Sequence, residues 1–204
     1  MNPKLFLTIF SFRKEITFVS LAFLIALSIP VIAVILLANI GLNVVSDQLV
    51  STNPQTAEVT VQGIGGQPDV KIITQRVWPV TGVVTLEFGE SSFFQVFHTG
   101  IDIANPSGQI GDPITPFMDG KVTYEGEIFW GYGKHIIIDH GNHITSVYGH
   151  LSKVFVVKNQ EVKIGDIIGY EGKSGWATGP HLHFETRVYG LPVNPRVFLV
   201  GNPI

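Results

Sequence analysis

The chain has 204 residues, enough for one globular domain with an appendage. A net charge of −3 gives no basic footprint for nucleic acid, and the absence of cysteine removes disulfides, thiolate metal sites and thiol nucleophiles. Any metal site must draw on His, Asp or Glu, and the 22 glycines and 12 prolines point to many turns and short strands.

Residues 1–15 carry Lys4, Arg13 and Lys14, and the stretch from Ile16 to Leu37 that follows contains no charged residue. At 1.5 Å per residue that run extends roughly 33 Å, the thickness of a bilayer's hydrocarbon core. Pro30 kinks such a helix without excluding it, because membrane helices tolerate proline. The next charge is Asp47, so the positive-inside rule expects residues 1–15 in the cytoplasm, a single-pass anchor over 16–38, and the remainder outside the cell membrane. A cleaved signal peptide would have a shorter apolar core, about 7–15 residues, and a small-x-small site after it.

Residues 39–75 change character, with Asn, Ser, Thr, Gln, Gly and Pro dominating STNPQTAEVTVQGIGGQPD. The composition predicts a spacer that reaches on the order of 30 Å, with a short helix near Leu42 to Val50. A strand around Glu58 to Gln62, packed on the following domain, is the alternative. From Arg76 to Ile204, short apolar runs alternate with glycine-containing turns. VVTLEF, KVTYEG, HIIIDH, ITSVYGHL, KVFVV, DIIGYEG and HLHFETRVY read as strands, and Gly141-Asn142 reads as a hairpin turn. The expected fold class is all-β, an antiparallel sheet or sandwich with a groove, preceded by one membrane helix.

All seven histidines lie after position 97. In His98-Thr-Gly-Ile-Asp102, Gly100 permits a close turn that folds an imidazole and a carboxylate toward one point, and both suit zinc. In His181-Leu-His183, residues two apart on a strand share a face, so the two rings sit side by side while Leu182 and Phe184 face the core. His150 closes a third strand. Zinc hydrolases take three protein ligands, an open position for water, and a base that is not a ligand. His98, Asp102 and one histidine of the pair supply the first need; the other histidine and His150 supply the last. His135, His140 and His143 read as solvated hairpin residues, and Asp119-Gly120 and Asp139 as turn residues.

Together FHTGIDIA, GYGKHIIIDHGNHITSVYGHLS, VKIGDIIGYEGKSGWATGPHLHFE and PVNPRVFL resemble the lysostaphin/LytM-type M23 metallopeptidases over roughly Val77 to Val200, in the family's order and spacing. The resemblance implies a β domain with a narrow groove and one Zn²⁺. It implies that His98, Asp102 and His183 bind the metal and that His150 and His181 are catalytic. It further implies peptidoglycan peptide cross-links as substrate. All five positions are occupied, which disfavours the alternative of a non-catalytic LytM-like module that activates another wall hydrolase or envelope machine. One departure stands out. Some relatives place a supporting tyrosine just before the first ligand, whereas Phe93, Phe94 and Phe97 here cannot donate a hydrogen bond.

Overall fold

In a computed structural model of the chain, residues 3–91 and 95–203 are described, with the side chains described from residue 15 onward. Two compact units divide at residue 41. The first is helical: α1 runs Pro3–Leu49 without interruption at Pro30, its last turns belonging to the second unit. From Glu15 it is long and apolar enough to cross a membrane, by length and composition.

The second unit is built of antiparallel β-strands, as the strand-and-turn pattern requires. Its main sheet has the order β11(Glu161–Val162)-β7(Gly120–Glu127)-β8(Lys134–Asp139)-β9(Ile144–Leu151)-β13(Leu182–Val188)-β5(Ile101–Ala104)-β4(Val83–Leu86), with β14(Leu191–Val193) also pairing β13. A second sheet joins β10(Lys153–Val154), β12(Gly169–Tyr170) and β6(Pro113–Ile114). KVFVV and DIIGYEG thus contribute only two-residue strands, and Phe155 and Val157 point to solvent beyond the first of them. The β8–β9 hairpin closes through Gly141, Asn142 and His143, all at positive φ.

Where composition predicts a spacer, the chain is folded. Leu49 and the strands β1(Val50–Thr52), β2(Val59–Val61) and β3(Val70–Ile72), which form a third sheet, bury Leu49, Val50, Val59, Val61 and Ile72 in the same core as Ile101, Ile103, Phe184 and Phe198. The Val59/Val61 alternation is a two-residue apolar period that a polar average conceals. Arg76 ties the segment down: its guanidinium donates to the carbonyls of Ala57 (2.7 Å), Ile72 (3.0 Å) and Phe198 (3.1 Å). The buried Ser46 hydroxyl accepts from the Asn194 amide at 2.9 Å.

One buried group is at odds with its surroundings. Glu171, just past β12, is fully buried, and among the described residues neither carboxylate oxygen finds a hydrogen-bond donor. Its amide donates to the carbonyl of Asp112, whose own carboxylate is nearby, so burial first and Asp112 second push the Glu171 carboxyl up to about 7. A carboxyl raised in the folded state leaves stability intact below its unfolded value and erodes it as pH climbs toward 7. Glu171→Gln is therefore expected to raise the unfolding midpoint at pH 8 by a few degrees, where about 1 kcal/mol moves a chain this size by about 2–4 °C. At pH 4 the two proteins should unfold together; circular dichroism melts of the detergent-solubilised chain at both pH values provide the check.

Candidate functional site

The site lies where β13 runs between β9 and β5. On one side His183 pairs with Asp102, and on the other with Gly149, the residue before His150. Strand alternation sends Leu182 and Phe184 into the core and leaves the odd-numbered residues of β13 on the opposite face. His181 stands at the mouth of the strand, held by a bridge to Gly172. His98 comes from the turn before β5. That turn needs Gly100, because a Cβ there would lie 2.3 Å from the Phe184 carbonyl oxygen and 2.9 Å from Glu185 Cγ.

All five residues singled out in the sequence meet in this region. His98 Nε2, Asp102 Oδ1 and His183 Nδ1 form a triangle with sides of 3.0, 2.9 and 2.9 Å. Asp102 Oδ2 lies 3.4 Å from His181 Nε2. The rings of His150 and His181 are in edge contact with centroids 4.7 Å apart, and His150 lies 5.7 Å from the His183 ring. The four histidines are buried and Asp102 is nearly so.

Each of these histidines has one ring nitrogen against a fixed acceptor. His98 Nδ1 faces the Glu87 carbonyl at 3.1 Å, His150 Nδ1 the Ser174 carbonyl at 2.8 Å, and His181 Nδ1 the Gly179 carbonyl at 2.9 Å. His183 instead sets Nε2 against the Glu185 carboxylate at 3.1 Å. An acceptor demands N–H on the nitrogen that faces it, which leaves the other nitrogen of a neutral ring as a lone pair. The lone pairs of His98 Nε2 and His183 Nδ1 therefore converge with a carboxylate oxygen. Three acceptors at about 3 Å repel unless a cation, either a proton or a metal ion, lies among them. A triangle of this size, with two imidazoles and one carboxylate, matches the donor chemistry and the roughly 2.0–2.2 Å bonds of zinc. Among the described residues it is the group of three or more His, Asp or Glu ligand atoms close enough to hold a metal.

Protonation follows the same geometry. Burial opposes charge on both Asp102 and His183. With a proton shared among the three atoms, hydrogen bonding to His183 and then to His98 nevertheless holds Asp102 far below the usual carboxylate range, and hydrogen bonding to Asp102 and then to Glu185 raises His183 to about 9. Burial, followed by the charges of His181 and His183, depresses His150 to about 4, and burial depresses His181. A cleft of about 250 Å³, lined in part by Thr99, Tyr132, His150, Trp176 and His183, opens onto this cluster. Trp176, from the loop before the HxH strand, is half exposed at its rim.

The remaining histidines lie elsewhere, and two are not solvated as expected. His135 is buried, stacked on Tyr124 with centroids 4.7 Å apart and hydrogen-bonded to the Gly133 carbonyl. His140 bridges the Asp119 carbonyl (2.9 Å) and Ser146 Oγ (2.7 Å), and burial lowers it to about 4. His143 is exposed, stacked on Tyr189. Phe93 and Phe94 lie outside the described residues, while Phe97 makes an edge contact with Phe88. Glu185, Arg187, Tyr132 and Thr99 also gather behind His183, although none of them belongs to a metal-ligand motif in the sequence. The first two were in view, since the odd-numbered alternation that links His181 to His183 continues through them.

Residues 96–195 match the model of "Peptidase family M23". Over 98 residues the chain is 44% identical to the DD-carboxypeptidase/endopeptidase Mpg of Neisseria meningitidis, covering 48% of this chain and 22% of Mpg. It is 40% identical over 122 residues to the murein hydrolase activator NlpD of Escherichia coli, covering 60% of this chain and 30% of NlpD. It thus spans under a third of either relative's length. Among solved structures, the catalytic domain of the prophage-encoded M23 protein EnpA from Enterococcus faecalis is 37% identical with a TM-score of 0.50, over 55% of this chain and 88% of that one. A zinc containing peptidase from Vibrio cholerae is 29% identical with a TM-score of 0.56, over 72% of this chain and 47% of that one.

The tightness of the β5–β13 approach gives a direct test. Gly100→Ala should force the strands apart at Asp102 and His183, destabilising the protein by about 1–3 kcal/mol as overpacking does. Denaturant unfolding of the two proteins measures it, and equal midpoints would contradict the close contact.

Proposed function

The chain belongs to peptidase family M23, and on that premise we propose that it is a membrane-anchored zinc endopeptidase that hydrolyses peptide cross-links of bacterial peptidoglycan. The observation that carries this reading is the meeting of His98 Nε2, Asp102 Oδ1 and His183 Nδ1 beside the buried His150 and His181, with His150 and His183 lining a cleft. Those three side chains are the proposed ligands of Zn²⁺. When bound, the ion acidifies a water and polarises the scissile carbonyl.

The chain's own residues do the rest. His150 and His181 are the proposed catalytic pair. Their Nδ1–H groups are engaged by the carbonyls of Ser174 and Gly179, so each offers Nε2 as a base. Depressed basicity keeps both neutral at physiological pH, ready to accept a proton from water. A ring so charged then donates to the leaving amine or to the developing oxyanion. Tyr132 and Trp176 line the cleft beside His150 and His183, where an extended peptide is proposed to lie. Residues 16–38 are the proposed single-pass anchor with the N-terminus cytoplasmic, which holds the β unit at the outer face of the membrane where cell-wall peptides lie. The relative Mpg, a DD-carboxypeptidase/endopeptidase, supports an enzyme of this type.

The similarity to NlpD supports a second reading, a module that activates another wall hydrolase. The complete set of three donors and two buried histidines favours the enzyme. Digestion of purified peptidoglycan by the chain alone, followed by mass spectrometry of the released muropeptides, separates the two. Release that stops with a chelator and returns with zinc is expected of the enzyme, and no release is expected of an activator.

Two substitutions divide the roles. His183→Ala should lose stoichiometric zinc, measured by elemental analysis of the purified chain. His181→Ala should keep zinc while turnover falls by about 10²–10⁴-fold, the usual contribution of a general acid–base group. Retained zinc in the first variant would break the ligand assignment.

A further inference from the structure

Three of the four site histidines rest on backbone carbonyls, whereas His183 rests on a full negative charge. That charge, Glu185, has no solvent exposure, and both of its oxygens are saturated. Oε1 accepts from Tyr132 Oη at 2.6 Å, from Thr99 Oγ1 and from His183 Nε2 at 3.1 Å. Oε2 accepts from Arg187 Nε at 2.9 Å and Nη2 at 2.6 Å. Arg187 Nη2 also donates to Tyr132 Oη at 3.0 Å, so the phenol accepts from the guanidinium and donates to the carboxylate. The hydroxyl of Tyr132, a residue that lines the cleft, thus has its proton committed to Glu185.

Three segments meet at this one carboxylate. Thr99 sits between His98 and Gly100 in the turn that carries a proposed ligand. Tyr132 belongs to the loop that walls the cleft. Glu185 itself lies two residues beyond His183 on β13, with its side chain on the same face. A hub that grips the His98 turn and the His183 ring together fixes the distance between the two imidazole donors. A carboxylate on the far nitrogen of an imidazole also fixes the tautomer and makes the near nitrogen a better electron-pair donor.

We propose that Glu185, held by Thr99, Tyr132 and Arg187, is a positioning residue that sets the affinity of the His98–Asp102–His183 site for zinc. The proposal rests on the metallopeptidase reading and adds to it a group that touches neither metal nor substrate. A merely structural role for the buried Glu185–Arg187 pair would show in stability and leave metal affinity alone.

The test uses the full chain in detergent micelles, stripped of metal, with zinc affinity measured by competition against a chromogenic chelator and the cobalt(II) visible spectrum as a second readout. Glu185→Gln is expected to bind zinc about 10–100-fold more weakly than wild type, the usual effect of losing such a partner. Its cobalt spectrum should shift, while its far-ultraviolet circular dichroism stays the same. Tyr132→Phe, which removes only one hydroxyl from the hub, should weaken zinc in the same direction by a smaller factor, and it decides the matter if Glu185→Gln does not fold. A folded Glu185→Gln, or in its place Tyr132→Phe, with zinc affinity within about 2-fold of wild type overturns the role of Glu185 and leaves the metallopeptidase reading standing. A wild-type chain that binds no zinc overturns both.

Discussion

Two imidazole lone pairs and a carboxylate oxygen, each about 3 Å from the others, form an arrangement that cannot stand without positive charge among them. Neither ring can relieve the conflict by shifting its proton inward, because the Glu87 carbonyl and the Glu185 carboxylate hold the outward nitrogens as donors. In the metal-free protein the strain is met by a proton, which accounts for the raised basicity of His183. A divalent cation held by the same three atoms would meet it in that proton's place. The remainder of the β unit can be understood as the scaffold that keeps these three atoms from drifting apart.

That scaffold is the antiparallel run β9-β13-β5. Register places His183 opposite Asp102 on one side and Gly149 on the other, so two strands deliver a proposed ligand and a proposed base to the two flanks of a third. Gly100 lets the His98 turn pass against β13 at a distance no side chain tolerates. Beneath them, Leu182, Phe184, Ile101 and Ile103 are wholly buried, so the same alternation that turns the site residues to the opposite face anchors their strands. Residues 50–72 add a further sheet to this core, giving the stretch after the apolar helix a part in packing.

Much of this was legible because the signals are local. A period of two brings His181 and His183 to one face, and glycine-punctuated apolar runs announce antiparallel strands. What escaped depended on partners distant in the chain. Glu185 looks like an ordinary strand residue until Thr99 and Tyr132 arrive at its carboxylate. His140 sits beside a turn, yet it is drawn inward by Ser146 and the Asp119 carbonyl. The strand at Val59–Val61 was masked by polar neighbours, since its apolar residues number too few to lift a local average and matter only through the core they join.

X-ray absorption at the zinc edge of the purified full chain tests the central claim most directly. Two imidazole nitrogens and a carboxylate oxygen at about 2.0–2.2 Å, with a further light atom from solvent, are the expected shell. A shell completed by a fourth protein side chain, or a chain that takes up no zinc at all, would contradict it.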